Sequence, residues 1–275
     1  MILKRRAELE VMAEAAVINR EALEAVEAAI AVGVTTSELN DVAERAILAR
    51  GGRPAFKGYN GFPATLCTSV NEAVVHGFPS SRPLEAGDLL SIDIGTFYRG
   101  FAADMARTYA IGEVTDEARR LIDATERSLQ AGIEAMRAGN RLGDVSAAIQ
   151  AVVEAAGFWV VREFVGHGIG RAFHEAPNVP NFGRAGTGPV LRPGLVLAIE
   201  PMVTVNQTTV DVLDDGWTAV SADGSLAAHV EHTVAITDEG PWVLTAPGSS
   251  RASVRATSTT KTAITADGRL DPAGR

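Results

Sequence analysis

The chain has 275 residues, of which 46% are hydrophobic and 21% charged, and its formal net charge is -9. This is the composition of a globular protein with enough residues for a substantial core, and the acidic balance argues against nucleic acid as the main ligand. The single cysteine, Cys67, cannot form an intrachain disulfide, which favours a reducing, cytoplasmic compartment. Because no apolar stretch approaches the roughly 18 residues of a membrane-spanning helix, we expect no membrane association.

Two patterns alternate along the chain. Apolar residues that recur at three and four positions predict amphipathic helices, which cover residues 7–31, 36–50, 116–138 and 143–156. Thr36 or Ser37 is the predicted N-cap of the second helix, and the glycine pair that follows it the predicted terminator. Short apolar runs broken by glycine and proline predict strands, the clearest at 64–110, 160–165, 195–203 and 230–237. This order favours an α+β fold with helices packed on a curved antiparallel sheet.

The second half of the sequence repeats the first. Residues 84–93 align without gaps on residues 191–200, an offset of 107 that pairs Asp93 with Glu200. The helical segments that precede them match at an offset of 106, which pairs Gly33 with Gly139. Two independent segments at nearly equal offsets indicate duplicated half-domains related by a pseudo-two-fold axis.

Each half also carries a His-Gly pair followed by carboxylates on two successive strands. These residues are His76, Asp93 and Asp104 in the first half and His167, Glu200 and Glu231 in the second. A two-fold axis would bring the four carboxylates together at the centre of the sheet. A carboxylate in an apolar strand must be paired, protonated or bound to a cation, since burying a bare charge is costly. Oxygen donors with one imidazole suit divalent Mn, Fe, Co or Zn, and two such ions form a recurrent hydrolytic centre.

Taken alone, each of these residues has an ordinary structural interpretation. A single acidic residue at a strand end is usually a turn cap or a surface charge, and His76 or His167 by itself would be a core histidine. His229 and His232 flank Glu231, and we interpret both as structural or as groups that orient a ligand. The interpretation as a metal site therefore depends on the whole set.

A longer set of motifs carries a resemblance. In chain order they are Tyr59-Asn-Gly-Phe-Pro, Cys67-Thr-Ser-Val-Asn-Glu-Ala-Val-Val-His-Gly, Ser91-Ile-Asp-Ile-Gly, Arg162-Glu-Phe-Val-Gly-His-Gly-Ile-Gly-Arg-Ala-Phe-His-Glu, Ile199-Glu-Pro-Met, Asp215-Gly-Trp and Val230-Glu-His-Thr. As an ordered set that extends from about Leu9 to Leu244, they resemble the type I methionine aminopeptidases of bacteria. That family has the pita-bread fold, in which duplicated halves form one curved sheet.

The resemblance implies a dinuclear metal centre and its catalytic groups. The implied ligands of two divalent ions (Co, Mn, Fe or Zn) are Asp93, Asp104, His167, Glu200 and Glu231. Asp104 and Glu231 would bridge the ions, and Glu200 would also carry the proton of the attacking water. Of the histidines, His174 would stabilise the tetrahedral oxyanion and His76 would contact the scissile amide.

The resemblance also implies an apolar pocket for a methionine side chain. The residues expected to contact the substrate are Tyr59, Phe62, Cys67, His76, Phe173, His174 and Trp217. Three positions depart from the usual family pattern: Phe56 replaces a small residue or cysteine, Ala176 an acidic residue and His229 a glutamine. Since none of them is a metal ligand, the departures bear on substrate fit and metal preference.

The implied function is removal of the N-terminal methionine from nascent polypeptides in the cytoplasm, by a monomer with the ribosome as a candidate partner. Two alternatives stay open, a proline-specific aminopeptidase of the same fold and a metal-free binding protein on the same scaffold. The Arg-Ala-Phe-His-Glu context of His174 disfavours the first, and the complete set of ligands disfavours the second. The resemblance implies one catalytic domain over residues 1–246. Composition predicts a disordered tail over residues 247–275, which are rich in Ser, Thr, Ala, Gly and Arg.

Overall fold

The computed structural model describes residues 1–206 and 209–249. Its α-helices are α1 (Arg6–Glu27), α2 (Thr36–Ala49), α3 (Asp116–Ala135) and α4 (Leu142–Ala155). Its strands are β1 (Arg53–Pro54), β2 (Leu66–Val70), β3 (Ala73–Val75), β4 (Leu89–Tyr98), β5 (Phe101–Ala110), β6 (Trp159–Val160), β7 (Gly166–Gly168), β8 (Glu175–Val179), β9 (Val196–Ile199), β10 (Met202–Thr204), β11 (Val210–Val212), β12 (Ala219–Ser221), β13 (Ala227–His229), β14 (Glu231–Thr237) and β15 (Gly240–Val243). Most of the predicted tail lies outside the described residues.

One nine-stranded antiparallel sheet forms the centre of the molecule. Its strands follow the order β1-β4-β5-β14-β9-β7-β8, with β2 also paired to β4 and β15 to β14. The two halves meet where β5 pairs with β14, and β4 and β9 take equivalent places on either side of that junction. Two three-stranded sheets, β13-β10-β6 and β11-β12-β3, complete the described β structure. The predicted α+β fold with duplicated halves on a curved antiparallel sheet is confirmed.

The helices form two pairs, and each pair covers one half of the sheet. Helices α1 and α2 pack together and contribute Leu23 and Leu39 to a buried apolar cluster that includes Ile92 of β4. Helices α3 and α4 do the same in the second half, where Ile149 joins a cluster that includes Ile199 of β9. Burial of each such side chain contributes about 1.5–3 kcal/mol, so both layers hold the central strands firmly. No helix in the described ranges is long and apolar enough to cross a membrane.

The predicted N-cap of α2 was wrong by one residue. Thr35 is the cap, since its hydroxyl accepts from the Glu38 N–H at 3.2 Å and the Glu38 carboxylate accepts from the Thr35 N–H at 2.8 Å. This reciprocal pair satisfies two of the free donors at the start of the helix. Thr36 lies inside the first turn instead, where its hydroxyl accepts from the Ser80 N–H at 2.8 Å.

Two predicted strands were also longer than the observed ones. Of residues 160–165, only Val160 belongs to a strand, and β7 begins at Gly166. Residues 195–203 are divided between β9 and β10, and the break falls at Glu200 and Pro201. Because proline has no N–H to donate to a sheet ladder, the ladder ends there. The interruption leaves Glu200 directly beyond the end of β9.

Candidate metal centre and its cavity

Strand register brings the predicted carboxylates together. Ala106 of β5 lies opposite Asp93 of β4 on one side and opposite Glu231 of β14 on the other. Asp104 is two residues from Ala106 along β5, so its side chain points to the same face of the sheet. A small residue between the two acidic positions leaves room on this face. Glu200, next to β14 at the end of β9, completes the group of four.

The donor atoms of this group converge with one imidazole. Asp104, His167 and Glu231 each offer a ligand atom within 4.8 Å of the others. His167 Nε2 lies 3.7 Å from Asp104 Oδ2 and 3.6 Å from Glu200 Oε1. These distances exceed those of hydrogen bonds, and they are about the separation of two atoms that share one ion at roughly 2.0–2.2 Å.

The carboxylates lack the partners that buried acids normally have. Asp93 Oδ1, Asp104 Oδ1 and Glu231 Oε1 are buried without a hydrogen bond from any described residue. Burial, reinforced by mutual repulsion, raises the pKa of Asp93, Glu200 and Glu231 well above the ordinary values. Burial also raises the pKa of Asp104 to about 8. Unsatisfied oxygen atoms on mutually repelling carboxylates fit a divalent cation, which would supply both the missing partner and the missing positive charge.

His167 is held in the form that binds a metal. Its Nδ1 lies 2.9 Å from the carbonyl oxygen of Gly168, and since a carbonyl only accepts, Nδ1 carries the hydrogen. Nε2 therefore directs a lone pair toward Asp104 and Glu200. Burial lowers the pKa of His167 to about 4, so the imidazole is neutral near pH 7.

The glycines beside His167 are required by close approach of neighbouring strands. A Cβ on Gly166 would lie 2.5 Å from the Ala198 carbonyl oxygen of β9. A Cβ on Gly168 would lie 2.7 Å from the Ala176 carbonyl oxygen of β8. Real Cβ atoms do not approach backbone so closely, so either substitution would push β7 away from its neighbours. Glycine is therefore required on both sides of His167.

A cavity of about 260 Å³ opens beside the carboxylates. The structure places all the predicted site residues around it: Tyr59, Phe62, Cys67, His76, Asp93, Asp104, His167, Phe173, His174, Glu200, Trp217 and Glu231. Further lining residues are Phe56, Asn60, Val75, Phe164, Val165, Met202 and His229. Of these, Phe56 and His229 stood out in the sequence as departures from the family pattern. The others lie in or beside the quoted motifs, and that adjacency was the signal available for them.

Aromatic rings line the cavity beside the carboxylates. Phe56 packs edge-on against Phe173 at 5.4 Å between ring centroids, and Phe62 packs edge-on against Trp217 at 5.2 Å. Burial raises the pKa of the Cys67 thiol, which therefore stays neutral and contributes to an apolar wall. Such a wall suits an unbranched, polarizable side chain.

Two histidines face the cavity from its rim. His174 Nδ1 lies 2.8 Å from the Tyr59 hydroxyl, and its ring centroid is 4.1 Å from that of His167. His76 adopts a left-handed φ of 62°, and its ring lies edge-on to Trp217 at 6.1 Å. Burial lowers the pKa of both His76 and His174 to about 4, so each is a neutral imidazole that can donate one hydrogen bond.

The two His-Gly pairs do not take equivalent places in the fold. His167 lies in β7, which pairs with β9, and the strand beside β4 in the corresponding place is β2, where Cys67 lies opposite Asp93. His76 follows β3 instead and reaches the cavity from a different direction. The duplication therefore extends to the carboxylate strands and not to the histidines.

Two of the three departures from the family pattern, His229 and Ala176, differ in position. His229 is buried, and its Nε2 lies 3.9 Å from Glu200 Oε2 without a hydrogen bond from any described residue. Burial lowers the pKa of His229 to about 3. Ala176 is exposed on β8 and is not among the residues that line the cavity.

The fold and the site define a metal-dependent hydrolase. The profile of metallopeptidase family M24 matches residues 10–238. The methionine aminopeptidase of Clostridium perfringens is 53% identical over 245 residues, which cover 89% of this chain and 98% of that protein. The chain therefore belongs to metallopeptidase family M24, in its methionine aminopeptidase branch.

Solved structures agree with this assignment. The crystal structure of methionine aminopeptidase from Thermotoga maritima superposes with a TM-score of 0.88 and 43% identity, over 89% of this chain and 99% of that one. The prolidase of Pyrococcus horikoshii superposes with a TM-score of 0.72 and 23% identity, over 89% of this chain and 63% of that one. The second likeness shows only that the fold is shared.

Proposed function

We propose that this protein removes the N-terminal methionine from nascent proteins and peptides by hydrolysis of the first peptide bond, assisted by two divalent metal ions. The observation that carries the proposal is the junction of two environments in one cavity. Clustered carboxylates with one neutral imidazole and a group of aromatic rings line the same cavity. The high identity to methionine aminopeptidases supports the same assignment.

We assign the two ions to a single set of ligands: Asp93, Asp104, His167, Glu200 and Glu231. Bound there, divalent ions would polarise the scissile carbonyl and lower the pKa of water. The ligand set admits Co, Mn, Fe or Zn, because oxygen donors with one imidazole suit each of them. By the family resemblance, Asp104 and Glu231 would help to hold both ions; they lie on β5 and β14, the two strands that meet at the junction of the halves.

The aromatic rings that line the cavity would receive the methionine side chain. Phe56, Phe62, Phe173 and Trp217 offer ring edges and faces at van der Waals distance from one another. Thioether sulfur makes favourable contacts with such rings of about 0.3–1.5 kcal/mol each. Side-chain burial would hold the first peptide bond beside the carboxylates, so that recognition of methionine also positions the reacting carbonyl.

Three groups would handle protons and charge. Burial raises the pKa of Glu200, which suits a group that takes a proton from water and returns it to the leaving amine. His174 engages Tyr59 through Nδ1, which leaves its Nε2 as the atom able to reach a developing oxyanion. His76 approaches from the other side of the cavity and would contact the scissile amide.

The proposal includes a cellular setting. We place the enzyme in the cytoplasm as a monomer that acts on nascent chains, with the ribosome as a candidate partner. A single, buried cysteine and a net charge of -9 are compatible with this setting. His174 is exposed on its outer side, which leaves the cavity open to the end of an extended peptide.

Methionine release from Met-Ala-Ser tests the proposal. Metal-stripped protein is assayed with and without added Co, Mn or Fe, beside a Xaa-Pro peptide of equal length. Metal-dependent release of methionine from Met-Ala-Ser alone is the expected result. Cleavage of the Xaa-Pro peptide alone would replace the proposal with a proline-specific activity, and no turnover with any metal would favour a binding protein.

A further inference from the structure

Lys4 places its ammonium group inside the protein, next to the loop that carries His174. Its Nζ lies 2.5 Å from Glu175 Oε2, and the two side chains are only 3% and 4% exposed. Lysine and glutamate are rarely buried even as a pair, since desolvation offsets much of their attraction. A buried pair at this place therefore calls for an explanation other than overall stability.

The second oxygen of Glu175 closes the same loop. Glu175 Oε1 accepts from the Arg171 N–H at 2.9 Å and from the Ala172 N–H at 3.4 Å. One carboxylate thus ties both ends of residues 171–175, and Phe173 and His174 lie between them. Hydrogen bonds to an ionised acceptor are roughly twice as strong as neutral ones, so this loop depends on Glu175 remaining charged.

Lys4 is itself held on both sides. Its N–H donates to the Gly194 carbonyl at 2.7 Å, and its Nζ also donates to the Ile2 carbonyl at 3.2 Å. A Cβ on Gly194 would lie 2.6 Å from the Lys4 carbonyl oxygen, and a Cβ on Gly170 would lie 2.3 Å from Lys4 Cε. Two glycines therefore leave space for the lysine, one on its backbone side and one along its side chain.

Lys4 does not line the cavity, so any effect on the reaction must pass through the loop. Among the described residues, His174 has one hydrogen bond, to the Tyr59 hydroxyl, and it is otherwise placed by its neighbours Phe173 and Glu175. A misplacement of about 1 Å can cost a reaction roughly 100-fold in rate. Small shifts of residues 171–175 would therefore be felt at His174.

We propose that Lys4 is a positioning residue: its ion pair with Glu175 fixes residues 171–175 so that His174 meets the reacting carbonyl. This inference rests on the proposed function. It gives a role in the reaction to Lys4, which is 171 positions from Glu175 in the sequence. Loss of the pair would lower kcat for methionine release, because His174 would no longer be held against the reacting carbonyl.

A double-mutant cycle distinguishes positioning from a merely structural role. Release of methionine from Met-Ala-Ser is measured for wild type, Lys4→Met, His174→Ala and the double variant, all loaded with Co or Mn. We expect Lys4→Met to lower kcat about 10- to 100-fold in the wild-type background. In the His174→Ala background we expect a further loss of less than about twofold, since the group being positioned is gone.

Arg6→Met is the matched control in the same segment. Arg6 pairs with Glu10 at the surface, its side chain is 77% exposed, and the substitution should leave kcat unchanged. If Lys4→Met folds poorly, Lys4→Met combined with Glu175→Gln removes both charges at once and is measured in the same two backgrounds, with the same expected difference.

Three results would overturn either this inference or the proposed function on which it rests. Equal losses of kcat in both backgrounds would mean that Lys4 only stabilises the fold, and an unchanged kcat in Lys4→Met would mean that the pair has no role in the reaction. Either result overturns the inference while wild-type activity stands. Absence of methionine release by wild type itself would instead overturn the proposed function.

Discussion

Asp88 and Asp104 show how two equally buried aspartates can have opposite environments. Asp88 is 5% exposed and accepts four hydrogen bonds, two from Arg82, one from Asn71 and one from the Glu85 N–H. Burial alone would raise its pKa, but these donors lower the pKa of Asp88 to about 2. Asp104 is 3% exposed, its Oδ1 has no partner among the described residues, and burial raises the pKa of Asp104 to about 8.

The difference shows which buried acid belongs to a functional site. The donors around Asp88 satisfy it within the fold, where it fixes the turn before β4. Asp104 and its neighbours have acceptors without donors, an arrangement that folding alone would not favour. An unsatisfied cluster is therefore better evidence for a cation than is the number of acids.

The largest expected difference between variants of the two aspartates is in their enzymatic activity. Asp104→Asn should lower methionine release by more than about 100-fold, beyond the usual effect of residues that only orient a ligand. Asp88→Asn should leave kcat within about twofold, because Asp88 lies outside the cavity. Both variants are assayed with Met-Ala-Ser at saturating metal, and equal losses in the two would show that burial, not ligation, explains the effect of Asp104.

The next largest expected difference is in how much bound metal stabilises the two variants. Saturating Co or Mn at about 100 times Kd should stabilise metal-stripped wild type by about 2.7 kcal/mol per site. For a chain of this length that corresponds to a rise in Tm of about 5–10 °C. Thermal scans should show the same rise for Asp88→Asn and a much smaller one for Asp104→Asn. Equal rises in both variants would place the metal elsewhere.

The pH dependence of metal-free stability should have opposite signs at the two positions. The pKa of Asp104 is raised on folding, so its contribution is present at low pH and is lost as pH rises through about 8. The pKa of Asp88 is lowered, so its contribution is present above its ordinary value and is lost as pH falls through about 2. At pH 8.5, Asp104→Asn should therefore be more stable than wild type, and Asp88→Asn less stable by about 2 kcal/mol.

These signs are measured by urea unfolding of metal-stripped protein at pH 5 and 8.5. The advantage of Asp104→Asn over wild type should shrink at the lower pH, because below about 8 the folded protein binds a proton at Asp104 and no longer buries its charge. An advantage that does not change with pH would mean that Asp104 is not the titrating group.

The smallest expected effect concerns His229 and His232, the two histidines that flank Glu231, which differ in the same way as the two aspartates. His229 Nε2 has no partner among the described residues and lies 3.9 Å from Glu200 Oε2, whereas His232 Nδ1 lies 2.8 Å from the Thr245 hydroxyl. His229→Gln should lower kcat/KM by about tenfold, at the lower end of the range for groups that support a ligand. His232→Gln should leave kcat/KM within about twofold. The reverse order would mean that unsatisfied atoms are a poor guide to this site.

Much of the fold could be predicted from local pattern. Helical periodicity located all four helices of the described chain to within a few residues, although α1 ends at Glu27 and not at 31. The offset between residues 84–93 and 191–200 predicted that β4 and β9 would be equivalent, because a duplicated strand keeps its glycine turn and its terminal acid. The predicted strand 195–203 failed for one identifiable reason, Pro201 at the end of β9.

The site was less accessible to local reasoning. Register could not be read from the sequence, so the row formed by Asp93, Ala106 and Glu231 required the structure. The ordered motifs predicted which residues would meet around the cavity, but not that His76 would approach from outside the duplicated strands. The contact between Lys4 and Glu175 joins residues 171 positions apart, and no periodicity or motif predicts such a pair.

The central claim is that unsatisfied carboxylates around Asp104 hold divalent metal ions. Calorimetric titration of Mn or Co into metal-stripped wild type, Asp88→Asn and Asp104→Asn tests it most directly. We expect about two ions per chain for wild type and Asp88→Asn, and for Asp104→Asn a loss of affinity of more than about 100-fold. Binding of equal strength in all three proteins, or no binding by wild type, would contradict the claim.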